Sequence, residues 1–235
     1  MVDKRLKLTL KGLDEMKIKV QGLLIDLDGT IVDSREAYFE AFKKAVKIFR
    51  RREIDHVELA LEIPKRLELN QTISDLIPGI NVESFLKAYL EAYYASTKKF
   101  VKPFPNVSKT LDKLSDKAKL ALVTMRHVSR EDVKEELEKL GLAKYFLYIL
   151  TGLDTPFPKP SPEALKKCAS ELSVEIGKCA VVGDSVADVR AGKNAGAKTV
   201  AVLSGLFMRK ELEGEGPDLI LENVKRLPAF LEPYF

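Results

Sequence analysis

At residues 23–30 the chain reads LLIDLDGT, where an apolar run leads directly into Asp26 and Asp28 and then turns at Gly29. A short apolar run bounded by a turn residue predicts a buried strand. The carboxyl ends of strands in a parallel α/β sheet face the ligand crevice, so Asp26 would lie at the mouth of a site. Asp28, two residues further on, can face the same mouth. The competing interpretation is a buried strand that ends in a charged turn.

Two carboxylates at one strand end can divide the steps of a group-transfer reaction between them. One could attack an electrophile, while the second, held near a metal ion or in a drier pocket, could carry a proton. This division suits phosphoryl transfer. The interpretation therefore depends on what the other strand ends carry.

Length and charge narrow the class of protein. The 235 residues exceed a typical single domain but fall short of two large ones, which favours one core with an inserted module. Hydrophobic residues make up 46% and charged residues 31%, the balance of an ordinary globular protein. The net charge of +4 is small and basic residues are interleaved with acidic ones, so the concentrated basic face typical of nucleic-acid binding is missing.

Membrane and secretory classes are also disfavoured. No apolar run approaches the ~20 residues of a membrane span, and the N-terminus lacks the apolar stretch of a signal peptide. Cys168 and Cys179 lack metal-ligand spacing and are interpreted as buried thiols. We therefore expect a cytoplasmic protein that binds neither membrane nor nucleic acid. The sequence leaves its oligomeric state open.

Residues 35–101 carry helical periodicity without a strand pattern. The predicted helices cover residues 34–52, 55–69 with an interruption at Pro64, and 83–99. Ser34 is the expected N-cap of the first helix. Pro103 and Pro105 then break the pattern and mark a return linker. The block is interpreted as an all-helical insertion after the first strand.

Beyond the linker, strand and helix patterns alternate. The predicted strands cover residues 120–124, 146–150, 179–184, 199–203 and 218–221. Repeated βα units imply a parallel sheet covered on both faces, so we predict a doubly wound α/β fold with an inserted helical cap. The predicted division is an N-terminal extension over 1–16, an α/β core over 17–34 and 102–235, and a cap over 35–101.

Two further strand ends or loops carry groups suited to phosphate. Thr124 ends an apolar strand, where its hydroxyl and the next backbone N–H could hold a phosphoryl oxygen. Lys159 lies between Pro158 and Pro160, which fix the backbone, so its ammonium could neutralise charge on a nucleophilic carboxylate and on the transferring phosphoryl group. Taken singly, each has an ordinary alternative as a strand-end threonine or a solvated lysine.

Asp184 ends a predicted strand, and Asp188 falls in the first turn of the following helix. Mg²⁺ prefers oxygen ligands and keeps several waters, so one or two carboxylates with substrate oxygens suffice. Asp26, Asp28 and Asp184 would meet that demand. Asp188 could instead do no more than complement the helix dipole.

Taken together, these stretches match in order the four motifs of the haloacid dehalogenase-like hydrolases. They are residues 26–30 (DLDGT), Thr124, Lys159, and Gly183-Asp184 with Asp188. From about residue 17 onward the chain resembles this family, and in particular its phosphoglycolate phosphatase-like members with a helical cap of the C1 type. The resemblance is sharpest in the core and weak in the inserted helices.

The resemblance implies a role for each motif residue. Asp26 would be the nucleophile that forms an aspartyl-phosphate, and Asp28 would protonate the leaving oxygen and then activate water. Thr124 and Lys159 would bind the phosphoryl group. Mg²⁺ would be held by Asp26, the backbone carbonyl of Asp28 and Asp184, with Asp188 in support. Asp28 also favours phosphate esters, because family members that dehalogenate differ from this chain at the second aspartate.

Less specific signals concern substrate binding. In many relatives a cap loop points at the active site, and residues 62–66 occupy the matching place here, so that Lys65 or Arg66 could bind a second anionic group. Both could equally be surface charges. Arg126 and His127 follow Thr124 and could line the pocket, although a lone loop histidine is more often solvated than catalytic.

The sequence thus predicts a Mg²⁺-dependent phosphatase of small phosphorylated metabolites, with phosphoglycolate or a sugar phosphate as candidate substrates. The first alternative is a sugar phosphomutase or phosphotransferase on the same machinery, in which an alcohol accepts the phosphoryl group. The second is a receiver-like signalling domain, which also takes a phosphoryl group on aspartate. Asp28 and the helical insertion argue against a receiver.

Overall fold

The computed structural model describes residues 17–49 and 57–233 of the chain. The extension predicted over residues 1–16 lies outside these ranges, as does the predicted end of the first cap helix at residues 50–52. Among the described residues, no helix combines the length and the apolar character needed to cross a bilayer.

Ten strands among the described residues form one large sheet and two small pairs. They are β1 (Ile18–Val20), β2 (Gly22–Ile25), β3 (Val32–Asp33), β4 (Lys102–Pro103), β5 (Lys119–Val123), β6 (Tyr148–Leu150), β7 (Cys179–Gly183), β8 (Lys198–Val202), β9 (Leu219–Leu221) and β10 (Leu231–Pro233). Six of them form a parallel sheet in the order β6-β5-β2-β7-β8-β9. The predicted parallel sheet is confirmed, and β2, which leads into the aspartate pair, lies near its centre.

The described part of the chain contains eight α-helices. They are α1 (Arg35–Ile48), α2 (Val57–Glu68), α3 (Val82–Phe100), α4 (Val107–Ser115), α5 (Arg130–Lys139), α6 (Glu163–Glu171), α7 (Val186–Ala195) and α8 (Arg209–Gly214). Leu23 and Ile25 of β2 belong to a buried cluster that includes side chains of α4 and α5, whereas Leu24 packs with α6 and α7. Both faces of the sheet are therefore covered, which explains why β2 is apolar at every position and confirms the doubly wound fold.

The insertion consists of α1, α2 and α3, as the periodicity predicted. Phe42 of α1 and Phe85 of α3 pack edge to face with ring centroids 6.5 Å apart. β3 pairs antiparallel with β4, Val32 opposite Pro103, so the chain leaves and re-enters the core at adjacent points. The assignment of residues 35–101 as a separate cap domain stays a prediction.

Two local predictions in the insertion are wrong, the interruption of the second helix at Pro64 and the cap loop at residues 62–66. Pro64 does not interrupt α2, because Ala60 and Ile63 are buried and their packing holds the helix together although proline supplies no N–H. The residues 62–66 expected in a cap loop are therefore helical. Ser34 occupies the N-cap position of α1, as predicted, but its hydroxyl makes no capping hydrogen bond and donates to the carboxylate of Asp28 instead.

Candidate active site

Asp26 directly follows β2 at the carboxyl edge of the sheet. Ile25 pairs with Leu122 on one side and with Val182 on the other. The Asp26 N–H donates to the carbonyl of Val182 at 2.9 Å. Its backbone is thus held by the sheet, while its carboxylate points to Lys159, whose Nζ lies 2.7 Å from Oδ1.

The Lys159 ammonium is buried and connects separate strand ends. It donates to Asp26, to Asp188 Oδ1 at 2.6 Å and to the carbonyl of Val123 at 3.0 Å. Burial would lower the pKa of Lys159, but the charges of Asp188 and Asp26 outweigh it and raise the pKa above its usual value. We name Lys159 with Asp26 and Asp188 the lysine cluster.

Three carboxylates meet beside this lysine. Asp26, Asp184 and Asp188 offer oxygens that all lie within 4.8 Å of one another. Burial raises the pKa of Asp26 well above its usual value, and the nearby charges of Asp188 and Asp184 add to the rise that Lys159 opposes. Burial also raises the pKa of Asp184, helped by the charges of Glu68 and Asp188. The three carboxylates therefore have too little positive charge nearby to balance their own negative charge.

Asp188 has two functions in the structure. Its Oδ2 accepts hydrogen bonds from the Ser185 hydroxyl at 2.7 Å and from the Ser185 N–H at 3.2 Å, which closes the N-terminus of α7. Its Oδ1 contacts Lys159. The helix-dipole interpretation and the site interpretation of Asp188 are thus compatible, because one carboxylate lies at the helix N-terminus and also contacts Lys159.

A glycine in the first motif makes room for Asp184. Gly29 has φ of +76°, and a Cβ there would lie 2.5 Å from Asp184 Oδ2. Thr30 Oγ1 donates to Asp184 Oδ1 at 3.2 Å, and the Leu206 N–H donates to Oδ2 at 3.3 Å. The turn after Asp28 therefore brings the strand-end acid of β7 against the aspartate motif.

Asp28 belongs to a different ion-pair group. Arg126 Nε and Nη2 donate to the two oxygens of Asp28 at 2.7 and 2.6 Å, and Arg126 Nη1 contacts both oxygens of Glu136 at 2.9 Å. Burial alone would raise the pKa of Asp28, but the charge and hydrogen bonds of Arg126 outweigh it and hold the pKa below its usual value. We name Arg126 with Asp28 and Glu136 the arginine cluster. The Asp28 carboxylate is outside the three-acid group.

Thr124 and His127 lie in the loop after β5. The buried hydroxyl of Thr124 accepts a hydrogen bond from the N–H of Arg126 at 3.3 Å. The His127 N–H donates to Tyr94 Oη at 3.0 Å, and the histidine itself is exposed. Both residues line the same cavity as Asp26.

This cavity has a volume of about 310 Å³ and lies between the carboxyl edge of the sheet and the helices of the insertion. The predicted site residues that line it are Asp26, Asp28, Thr124, Arg126, His127, Lys159 and Asp188. Four loops that are distant in sequence therefore converge on one space.

Lys65 and Arg66 are not among the residues that line the cavity. Lys65 Nζ contacts Glu211 Oε1 at 2.7 Å, and Arg66 pairs with Glu62 at 3.0 Å and with Asp75 at 2.6 Å. Both side chains point from α2 toward other acids, because the helix turns them away from the cavity face. The surface-charge interpretation describes their geometry better.

Glu68 is an acidic residue of the cavity that no sequence pattern selects. It ends α2 and lines the cavity with Asp26 and Asp188. Burial, followed by the charges of Asp188 and Asp26, raises the pKa of Glu68 to about 8. A glutamate at a helix end resembles any surface charge in a sequence, so only the rotation of α2 reveals it. Glu136 lies inside α5 and was missed because it too resembles a surface charge in the sequence.

The three-acid group has the donors that a divalent cation requires. Its ligand atoms are all carboxylate oxygens, which suit Mg²⁺, and their mutual repulsion would be relieved by added positive charge. The group therefore fits the predicted kind of metal.

Comparison with known proteins identifies the family. Residues 23–202 match the sequence profile of the family described as haloacid dehalogenase-like hydrolase. A phosphoglycolate phosphatase of Aquifex aeolicus (strain VF5) is 34% identical over 213 residues, which cover 89% of this chain and 96% of the relative. The pyrophosphatase PpaX of Bacillus mycoides (strain KBAB4) is 28% identical over 215 residues, covering 91% of this chain and 98% of the relative. A haloacid dehalogenase-like family hydrolase from Streptococcus pneumoniae has a similar solved structure, with a TM-score of 0.75 at 17% identity over 90% of this chain and 98% of that one.

The chain therefore belongs to the haloacid dehalogenase-like hydrolases. The matched range includes Asp26, Asp28, Thr124, Lys159 and Asp184 as well as the helical insertion. The predicted family, fold class and hydrolase class are confirmed.

Proposed function

We propose that this hydrolase is a Mg²⁺-dependent phosphatase that cleaves phosphate esters of small metabolites through an aspartyl-phosphate on Asp26. The observation that carries the proposal is the lysine cluster, in which Asp26 Oδ1 lies 2.7 Å from a buried ammonium at the floor of a cavity. Phosphatase activity also agrees with the names of the relatives, a phosphoglycolate phosphatase and a pyrophosphatase.

In the first step, a carboxylate oxygen of Asp26 forms a bond to phosphorus, and the bond from phosphorus to the ester oxygen breaks. Lys159 and Thr124 contact the phosphoryl oxygens, where their fixed positions require no reorganisation as charge moves. Asp28 gives its proton to the leaving oxygen. In the second step water attacks phosphorus, its proton passes to Asp28, and the bond to Asp26 breaks to release phosphate.

The arginine cluster must rearrange before Asp28 can donate a proton. Arg126 holds both oxygens of Asp28, and a bidentate guanidinium stabilises the charged carboxylate. On this mechanism, Asp28 turns from Arg126 toward the leaving oxygen when substrate occupies the cavity. Glu136 keeps Arg126 paired during that movement.

Mg²⁺ would be held by the carboxylates of Asp26 and Asp184 and the backbone carbonyl of Asp28, with Asp188 in support. When bound, it supplies positive charge that shields the nucleophile from the anionic ester. The proposal includes phosphoglycolate and sugar phosphates as candidate substrates. A cytoplasmic location stays a prediction.

Release of inorganic phosphate from a panel of phosphorylated metabolites, with and without Mg²⁺, tests the proposal. We expect Mg²⁺-dependent release that Asp26→Asn abolishes and that Asp112→Asn, an exposed acid on α4, leaves unchanged. Substantial release by Asp26→Asn would contradict the nucleophile assignment. Interconversion of phosphosugars without release of phosphate would identify the phosphomutase alternative instead.

A further inference from the structure

We propose that Tyr93 on α3 is a positioning residue for Asp28, to which it donates a hydrogen bond once this carboxyl has turned away from Arg126. The inference rests on the proposed function, in which Asp28 protonates the leaving oxygen. It gives the inserted helices a part in that step. After the turn, one oxygen of Asp28 is directed at the substrate and the other is fixed by Tyr93.

The first observation is a buried hydroxyl that lacks a partner. Tyr93 is 5% exposed, and its hydroxyl has no hydrogen-bond partner among the described residues. A buried polar group without a partner is costly, so few of them remain in native structures. Tyr93 lines the cavity together with Asp28. A group that moves within the cavity can therefore supply the missing partner.

The second observation is that packing fixes the Tyr93 ring beside the arginine cluster. The ring stacks on Tyr38 with centroids 4.9 Å apart and an angle of 13° between the ring planes. Arg126 lies over the Tyr93 ring, with its Cζ 5.7 Å from the ring centre. Because Arg126 also holds Asp28, the ring lies next to the carboxyl that the mechanism requires to move.

The third observation explains why the Tyr93 hydroxyl is unused in this structure. The oxygens of Asp28 already accept hydrogen bonds from Arg126 Nε at 2.7 Å, from Arg126 Nη2 at 2.6 Å and from the Ser34 hydroxyl. Burial would raise the pKa of Asp28 and Arg126 outweighs it, with smaller contributions from Ser34 and Tyr93 in the same direction as Arg126. The Tyr93 hydroxyl thus lies near Asp28, where stronger donors occupy both oxygens.

The turn of Asp28 toward the leaving oxygen exchanges these donors. Arg126 does not follow, because its Nη1 is held by both oxygens of Glu136 at 2.9 Å. A protonated carboxyl has one O–H to donate and a second oxygen that still accepts. Tyr93 is a neutral donor for that second oxygen, so it fixes the direction of the O–H without the positive charge that favours loss of the proton. As the proton passes to the leaving oxygen, the same hydroxyl stabilises the carboxylate that forms.

The test uses leaving groups that differ in their need for a proton. Phosphoglycolate and glucose 6-phosphate release alcohols, which need the acid, whereas p-nitrophenyl phosphate releases a phenolate that is stable without a proton. The quantity measured with Mg²⁺ is kcat/KM, which reports the steps up to departure of the leaving group and excludes later hydrolysis of the intermediate. We expect Tyr93→Phe to lower kcat/KM about tenfold or more for the better alcohol ester and less than about twofold for p-nitrophenyl phosphate.

Tyr89→Phe is the matched control. Tyr89 lies one turn earlier on α3, lines the same cavity and also has a buried hydroxyl without a partner among the described residues. We expect Tyr89→Phe to leave the ratio of kcat/KM for the alcohol ester to kcat/KM for p-nitrophenyl phosphate unchanged. A ratio that Tyr93→Phe leaves unchanged, or that both variants change equally, would overturn the role of Tyr93 and leave the phosphatase proposal standing.

Unfolding in urea separates positioning from packing. Because the Tyr93 hydroxyl has no partner in this structure, Tyr93→Phe should not lower the free energy of unfolding. A destabilised Tyr93→Phe variant would show that the hydroxyl is already used in the resting protein, and would overturn the inference. Failure of the wild type to release phosphate from either alcohol ester would overturn the proposed function and this inference together.

Discussion

The lysine cluster and the arginine cluster are alike in composition and opposite in electrostatic effect. Each places one buried cation between two carboxylates, and the aspartates Asp26 and Asp28 that they hold are two residues apart. The pKa of Asp26 is raised, first by burial, whereas Arg126 lowers the pKa of Asp28 despite burial. The difference comes from geometry: a forked guanidinium contacts both oxygens of one acid, while a single ammonium serves an acid crowded by others.

This order is the reverse of the one that catalysis requires. A nucleophile must be charged and a general acid must hold a proton, and enzymes often separate such roles by pushing two pKa values apart. On the proposed mechanism, added positive charge beside Asp26 lowers its pKa, and departure of Asp28 from Arg126 raises that of Asp28. We therefore expect both clusters to change when substrate and metal bind, so that Asp26 ionises more easily and Asp28 is protonated more easily.

Neutralising the lysine gives the largest expected effect. Lys159→Met removes the ammonium that contacts Asp26 and would contact the phosphoryl group, so kcat/KM for phosphate release should fall by about 10³-fold. Lys166→Met, an exposed lysine on the next helix, is the matched control and should retain full activity. A Lys159→Met variant that folds and keeps a tenth of the wild-type kcat/KM would show that phosphate release does not depend on the lysine cluster as proposed.

Replacing Arg126 with the shorter lysine tests whether its bidentate contact holds the arginine cluster together. Arg126→Lys loses the bidentate contact with Asp28 in a buried site, and we expect the free energy of unfolding to fall by about 2–3 kcal/mol in urea titrations. Arg130→Lys changes a more exposed pair with Asp154 and should cost less than about 1 kcal/mol. Equal losses of unfolding free energy for the two variants would show that the Arg126–Asp28 pair contributes no more to stability than an exposed ion pair.

The acids around Lys159 make a prediction about pH. Because the pKa of Asp184 is higher in the folded protein than in the unfolded chain, the folded state binds more protons in the interval between them, and stability falls as pH rises through it. In protein treated with a chelator, Asp184→Asn should therefore be more stable than the wild type near about pH 8, by about 1–2 kcal/mol, with the advantage shrinking toward about pH 5. Unfolding titrations at several pH values measure this. An advantage that does not change with pH would contradict the electrostatic cause.

The serine beside Asp28 gives the smallest effect. Ser34→Ala removes a hydrogen bond to Asp28 and should change kcat/KM by about two- to fivefold. Ser129 does cap its helix, accepting from the Asp132 N–H, so Ser129→Ala should cost about 1 kcal/mol of stability and leave kcat/KM unchanged. If the two serines had the same effects on activity, Ser34 would have no separate connection to the arginine cluster.

All three residues of the lysine cluster are candidates from the sequence, whereas of the arginine cluster only Asp28 and Arg126 are, and their pairing was not predicted. Asp26, Lys159 and Asp184 follow apolar runs or a proline-fixed loop, and the parallel arrangement of strands then forces their loops to one edge. Such positions can be predicted because hydrophobic periodicity, turn residues and sheet topology all indicate the same edge of the sheet. Their catalytic roles stay predictions.

What escaped prediction depends on helix rotation and long-range contact. Glu136 and Glu68 lie on helices where either face is chemically acceptable for a glutamate, and packing alone turns them inward. Packing also overrides the local preference of Pro64, which reads as a break in the sequence but lies inside α2. Ser34 has the right residue type and place for an N-cap, yet a nearby carboxylate takes its hydroxyl.

The central claim is that phosphorus becomes bonded to Asp26 during turnover. Rapid acid quenching of the working enzyme, reduction with borohydride and mass spectrometry of the peptide that contains residues 23–30 test it most directly, because borohydride converts an acyl phosphate of aspartate to homoserine. The account predicts homoserine at position 26, dependent on substrate and absent in Asp26→Asn. Phosphate release without homoserine at position 26, or with homoserine at Asp28 instead, would contradict it.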